Sequence, residues 1–152
     1  PFLLGMILVI LIYFLLKKYV FVKKKTEVKR KPKIIIPPDV IALNELAALK
    51  DKELWQSGKL KQYHSEISEI LRTYVEDRFQ ILALELPTYD ILQSLRNKGM
   101  QSENLHTLTT ILQRADLAKY AKSKPTDSEN DESMSQSVCF VRNTKKKEEQ
   151  ND

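Results

Sequence analysis

The sequence predicts an all-α protein, an N-terminal transmembrane helix followed by a small bundle of about five helices. Three observations predict it. An uncharged apolar run opens the chain. Only three glycines and six prolines punctuate 152 residues, too few for the tight turns of a strand-rich fold. From residue 40 onward, apolar residues recur every three or four positions, the period of a helix with one face turned inward.

The opening run, Phe2 to Leu16, reads FLLGMILVILIYFLL. Lys17 and Lys18 interrupt it, and Tyr19 to Val22 extend it. Residues 1–22 read as the transmembrane helix, in which Phe2 to Val22 span roughly 31 Å, about the thickness of a bilayer's hydrocarbon core. Lys17 and Lys18 snorkel to the headgroups, and Tyr13 and Tyr19 suit the interfacial zone. A domain this small has no means of covering a helix that is apolar all round. A signal peptide carries its positive charge before the apolar run, and here the charge comes after it. The chain opens on Pro1 rather than Met, which reads as the start of a fragment.

Residues 17–33 hold nine lysines and arginines and one acid, Glu27. Lys17, Lys18, Lys23, Lys24 and Lys25 form a topology signal and a strip for anionic lipid headgroups. By the positive-inside rule, the chain beyond this strip lies in the cytoplasm. The expected location is thus the inner membrane, single-pass, with membrane lipid as one partner. From Ile34 onward, sixteen basic residues face nineteen acidic ones out of the chain's 25 and 20. The basic pI therefore belongs to the strip, and nucleic acid is not an expected partner. Residues 23–38 read as a basic, proline-bearing linker, and residues 39–143 as a cytoplasmic helical domain. The tail 144–152 has no apolar residue after Thr144 and is expected to be disordered. The single cysteine excludes an intramolecular disulfide and favours a reducing compartment.

Pro37-Pro38-Asp39 is a helix start, with Asp39 the expected cap of a first helix from Val40 to Trp55, broken at Gly58. Leu60, Tyr63, Ile67, Ile70 and Tyr74 mark a second helix from Lys59 to Phe79. Ile81 to Leu86 form an apolar connector without a partner strand, expected to be a buried loop. Pro87-Thr88 opens a third helix carrying Ile91, Leu92 and Leu95 and ending at Gly99. Ser102 is the expected cap of a fourth, with Leu105, Leu108, Ile111 and Leu112 on one face. Ala115-Asp116 reads as a restart into a short extra turn through Leu117, Tyr120 and Ala121. Thr126 or Asp127 opens a fifth helix, with a thinner apolar face of Met134, Val138 and Val141.

No catalytic residue, cofactor site or metal site is expected. His64, His106 and Cys139 are too scattered for a zinc site. The three glycines lie far apart, so there is no phosphate loop. His64 reads as a half-exposed helix residue and Cys139 as a structural cysteine. Glu66, Glu69 and Asp90 read as solvated charges, and Trp55, Tyr63, Tyr74, Phe79 and Tyr120 as core. Arg72, Asp77, Arg78, Arg114, Asp116 and Lys119 sit beside the apolar stripes. They serve either as structural ion pairs and caps or as a surface for a partner.

Four stretches in order carry a resemblance: Pro37-Pro38-Asp39-Val40-Ile41-Ala42-Leu43, Leu54-Trp55-Gln56-Ser57-Gly58-Lys59, Ser65 through Phe79, and Arg114 through Ala121. Behind a transmembrane helix, they resemble the C-terminal transmembrane and cytoplasmic helical region of BatD-like bacterial membrane proteins. The resemblance runs from the anchor to about residue 143 and departs at Pro87, where the family pattern carries a second threonine before Thr88. It implies an envelope protein, with a periplasmic region before the anchor, associated with MoxR-type AAA+ ATPases and von Willebrand factor A domain proteins in stress or oxygen tolerance. No catalytic residue carries over. The expected function is a non-enzymatic scaffold or adaptor for such partners. The alternative is a membrane-tethered DNA-binding regulator using the third and fourth helices, which flank Asn97-Lys98-Gly99 with helix–turn–helix-like spacing.

Overall fold

The computed structural model describes residues 36–146. The expected membrane helix, the strip with Lys17, Lys18, Lys23, Lys24 and Lys25, and the end of the tail lie outside the described residues. Among the described residues, no helix is long and apolar enough to cross a membrane.

Five helices make up the described domain, and no strand occurs in it. They are α1 (Pro38–Asp51), α2 (Leu60–Phe79), α3 (Thr88–Asn97), α4 (Ser102–Tyr120) and α5 (Asp127–Thr144). The four longer helices form a ring in which α1 packs on α2, α2 on α4, α4 on α5 and α5 back on α1. The shorter α3 leans on α4.

α1 starts with Pro38 in its first turn, where a missing N–H does no harm. Asp39 does not cap it. The cap position is Pro37, and Asp39 lies inside the first turn, where its charge faces the positive end of the helix dipole. The helix also stops at Asp51, short of Trp55. Glu53 turns left-handed (φ 46°), and the chain folds back with Lys59 N donating to Leu54 O at 2.8 Å. This reversal tucks Leu54 into the core, with Trp55 packed against it.

α2 fulfils the expected stripe: Tyr63, Ile67, Ile70, Leu71, Tyr74 and Val75 are buried. Gln80 ends it in a left-handed conformation (φ 56°), its N–H donating to Glu76 O. The connector alternates. Ile81 and Ala83 are buried, whereas Leu82 and Leu84 are exposed, so the expected buried loop is only half buried. Ile91 and Leu95 of α3 are fully covered, and Gly99 supplies the left-handed residue after the helix (φ 81°).

Ser102 does not cap α4 but is its first helical residue, after Gln101. No restart occurs at Ala115-Asp116, because α4 is continuous to Tyr120. Ala115 and Ala118 extend the buried face of Leu108, Ile111 and Leu112, and alanine is the best helix former. Asp116, on the other side, has no end to cap. Tyr120 is 80% exposed and so is not core.

α5 begins with a capping box. Thr126 Oγ1 accepts from Glu129 N at 3.3 Å, and Glu129 Oε2 accepts from Thr126 N at 2.7 Å. Its buried face carries Met134, Phe140 and Val141 but also Asn130, Ser133, Ser137 and Thr144. The helix runs one residue past the expected domain end at 143. Phe140 is fully buried, edge-to-face with Tyr74 at 6.0 Å between ring centres. Cys139 points outward instead, so it is not a packing cysteine.

Candidate interaction surface

Arg72 projects from α2 into the corner where the connector, α3 and α4 meet. Its Nε donates to Ser68 Oγ (3.3 Å), one helical turn back. Nη1 donates to two connector carbonyls, Ala83 O (2.9 Å) and Leu86 O (2.6 Å). Nη2 donates to Thr88 Oγ1 (3.0 Å), and that hydroxyl donates onward to Asp116 Oδ2 (2.7 Å). Lys119 lies on the same side of α4, its Nζ 3.5 Å from both Asp116 Oδ1 and Ser68 Oγ. The planar fork of a guanidinium suits this corner, because it reaches several carbonyl and hydroxyl oxygens at fixed angles. Arg72 thereby pins the connector to α2, and Thr88 with Asp116 pins the start of α3 to α4.

Above this polar floor lies an open groove of about 650 Å³, bordered by Glu69, Leu84, Glu85 and Tyr120 among others. Glu69 also borders a second open groove of about 460 Å³ between α1 and α2, together with Glu45, Lys52 and Glu66. Lys52 Nζ pairs with Glu66 Oε2 at 2.7 Å, and the bonds from Lys52 and Gln62 hold the Glu66 carboxyl below its usual value.

Of the six charged residues picked out from the sequence, the structure brings three together here: Arg72, Asp116 and Lys119. Arg114 faces α5. It donates to Glu129 O (3.0 Å) and Ser133 Oγ (2.8 Å) and pairs with Glu132 (2.9 Å). Arg78 donates to Thr144 O (3.1 Å) and lies over the Phe79 ring at 4.9 Å, satisfying a terminal carbonyl of α5. Both tie helices together. Asp77 is exposed, and among the described residues its side chain makes no hydrogen bond or ion pair, while its backbone carbonyl accepts from Gln80 Nε2.

Other parts of the surface do not stand out in the sequence. Leu84 reads there as part of a buried loop, Tyr120 as core, Glu69 as a solvated charge, and Thr88 as a helix start. The run Ile81-Leu82-Ala83-Leu84 is apolar throughout, so the sequence carries no signal for which of these residues face outward.

His64 is fully buried rather than half exposed. Asn130 Nδ2 donates to Pro125 O (3.4 Å), which orients its Oδ1 toward the imidazole. His64 Nε2 therefore carries the proton and donates to Oδ1 at 2.9 Å. Nδ1 has no partner. Burial pushes this imidazole below its ordinary 6.5, and Arg114 acts in the same sense. The Asn130 bond and Glu129 oppose them. Next to it, Tyr63 donates to Asn130 O (2.9 Å), and burial raises its phenol well above the ordinary value. Among the described residues, no group of three or more metal-ligating side chains converges.

No family model, no curated protein and no solved structure matches this chain.

Proposed function

We propose that this chain is a membrane-anchored, non-enzymatic adaptor whose helical domain faces the cytoplasm and contacts partner proteins through the groove beside Arg72. One observation carries the reading. Among the described residues, two exposed large hydrophobics, Leu84 and Tyr120, line the same groove beside Arg72. Their segments are held together by the Arg72–Thr88–Asp116 bonds. Apolar side chains gathered on a braced surface favour a partner that removes them from water. The anchor and its orientation rest on the Phe2–Val22 run and the lysines after it. The partners are an AAA+ ATPase or von Willebrand factor A domain proteins of a MoxR/Bat-type stress or aerotolerance system, and they rest on the resemblance alone.

The test places a photo-crosslinking amino acid at Tyr120 of the full chain in cells. The expected result is a discrete covalent adduct with one of these proteins, identified by mass spectrometry and weakened by Leu84→Ser. An absence of protein adducts at positions 84, 89 and 120 would remove the basis of the proposal. A topology reporter fused after Thr144 checks the anchor separately and should report the cytoplasm.

A further inference from the structure

The cations at the floor of the groove point inward. Arg72 gives its donors to Ser68, two carbonyls and Thr88. Lys119, with its side chain 16% exposed, faces Asp116 and Ser68. The carboxylates at the rim point outward. Glu69, Glu85 and, in the adjoining groove, Glu45 are exposed. Among the described residues their side chains make no hydrogen bond or ion pair. Leu84 is 50% exposed and Tyr120 80% exposed in the same lining.

Carboxylates on a helix are ordinarily just solvated, and exposed apolar residues one by one are ordinary too. Here the two coincide in one concavity large enough for several side chains. An anionic ligand is disfavoured, because the cations that would meet it are already engaged and the rim would repel it. An uncharged apolar segment would cover Leu84 and Tyr120 but would bring nothing to compensate Glu69 and Glu85 as they lose water.

We infer that the groove receives a basic segment of a separate partner protein, one carrying an apolar anchor flanked by lysines or arginines. The anchor packs on Leu84 and Tyr120, and the flanking cations pair with Glu69 and Glu85. This rests on the adaptor reading for the existence of a partner and adds its chemistry.

The experiment titrates a short fluorescent peptide of lysines and leucines against the full chain in nonionic detergent, following anisotropy. A peptide with glutamate in place of lysine is the control. The expected result is binding of the lysine peptide that weakens as salt is raised, and no binding of the control. The double variant Glu69→Lys/Glu85→Lys should weaken binding by about tenfold or more. Leu84→Ser should weaken it without changing the salt dependence. These positions are exposed, so far-UV circular dichroism should be unchanged. Equal binding of both peptides, or binding indifferent to the double variant, overturns the inference. So does a photo-crosslink from position 85 to the chain's own residues 17–33 or to a second copy. If Tyr120 captures a protein in cells while the lysine peptide fails to bind, only the chemistry inferred here is wrong. If nothing is captured, the adaptor reading falls and takes this inference with it.

Discussion

Replacing Arg72 with methionine should unfold the domain more easily than any other single surface-facing change. The substitution keeps an apolar stem and removes every donor. Four acceptors lose the guanidinium, Ser68 Oγ, Ala83 O, Leu86 O and Thr88 Oγ1, although Ser68 keeps Lys119. They do not lose equally. Ser68, Leu86 and Thr88 border the open groove, so water recovers part of their bonding. Ala83 is fully buried, and an orphaned buried carbonyl costs about 1–3 kcal/mol. Allowing about 1 kcal/mol in all for the other three, which water and, at Ser68, Lys119 largely satisfy again, gives a total near 3 kcal/mol. For a domain of this size, that lowers Tm by about 15 °C. Urea unfolding of the full chain in nonionic detergent, followed by circular dichroism and Trp55 fluorescence, measures it. The m-value should be unchanged, because the same surface is exposed on unfolding. Arg72→Lys should recover part of the loss, since an ammonium lacks the fork that spans both carbonyls. A loss below about 0.5 kcal/mol would falsify the idea that this guanidinium holds the connector in place.

Three further outcomes are expected. Burial lowers the His64 pKa below the unfolded chain's 6.5, so the unfolded state binds more protons as the pH falls through that value. The contribution is complete above it and is lost on acidification. His64→Gln should flatten the urea midpoint between about pH 7 and 5. An unchanged slope would mean that another group titrates there. Glu129, held below its ordinary 4.5 by the Thr126 backbone N–H, acts in the same direction but only below that value. Thr126→Ala removes the acceptor that caps α5 and should cost about 1 kcal/mol in the same assay, while Ser102→Ala, which is no cap, should cost little. Gln80→Gly relieves a left-handed backbone (φ 56°) and should stabilise by roughly 0.5–1 kcal/mol. Destabilisation would show that the bond from Gln80 Nε2 to Asp77 O (2.9 Å) outweighs the backbone.

The helices are legible in the sequence wherever packing is apolar and local. The Tyr63–Ile67–Ile70–Tyr74 stripe and the Leu105–Leu108–Ile111–Leu112 face need only periodicity, and both are buried. Caps are less legible. Asp39 and Ser102 are residue types that cap, but the first turn closes one or two residues earlier, at Pro37 and Gln101. Asp116 resembles a cap because its alanine neighbours carry no apolar signal. Those same alanines let α4 run on against the core. The inner face of α5 is harder still. Asn130, Ser133, Ser137 and Thr144 look like a water-facing side, and only tertiary partners reveal them as buried. His64 is buried with its Nε2 N–H donating to Asn130, 66 positions away. The site is half legible. Arg72, Asp116 and Lys119 stand out as charges beside apolar stripes, whereas Leu84 and Tyr120 look apolar enough to be hidden.

The seat of α5 has a consequence for alignment. Tyr63, Tyr74, Arg78 and Arg114 all reach across to its backbone carbonyls, at Asn130, Val141, Thr144 and Glu129. A greasy contact tolerates sliding, because one methyl group replaces another. The side-chain links beside them do not, because His64 needs the amide of Asn130 and Tyr74 the hydroxyl of Thr144. A shift by one turn, about 5.4 Å, would break both together and leave a buried imidazole without its mate. The last helix therefore has one permitted position along its length, fixed at both ends by bonds that a sparse set of large apolar groups would not supply.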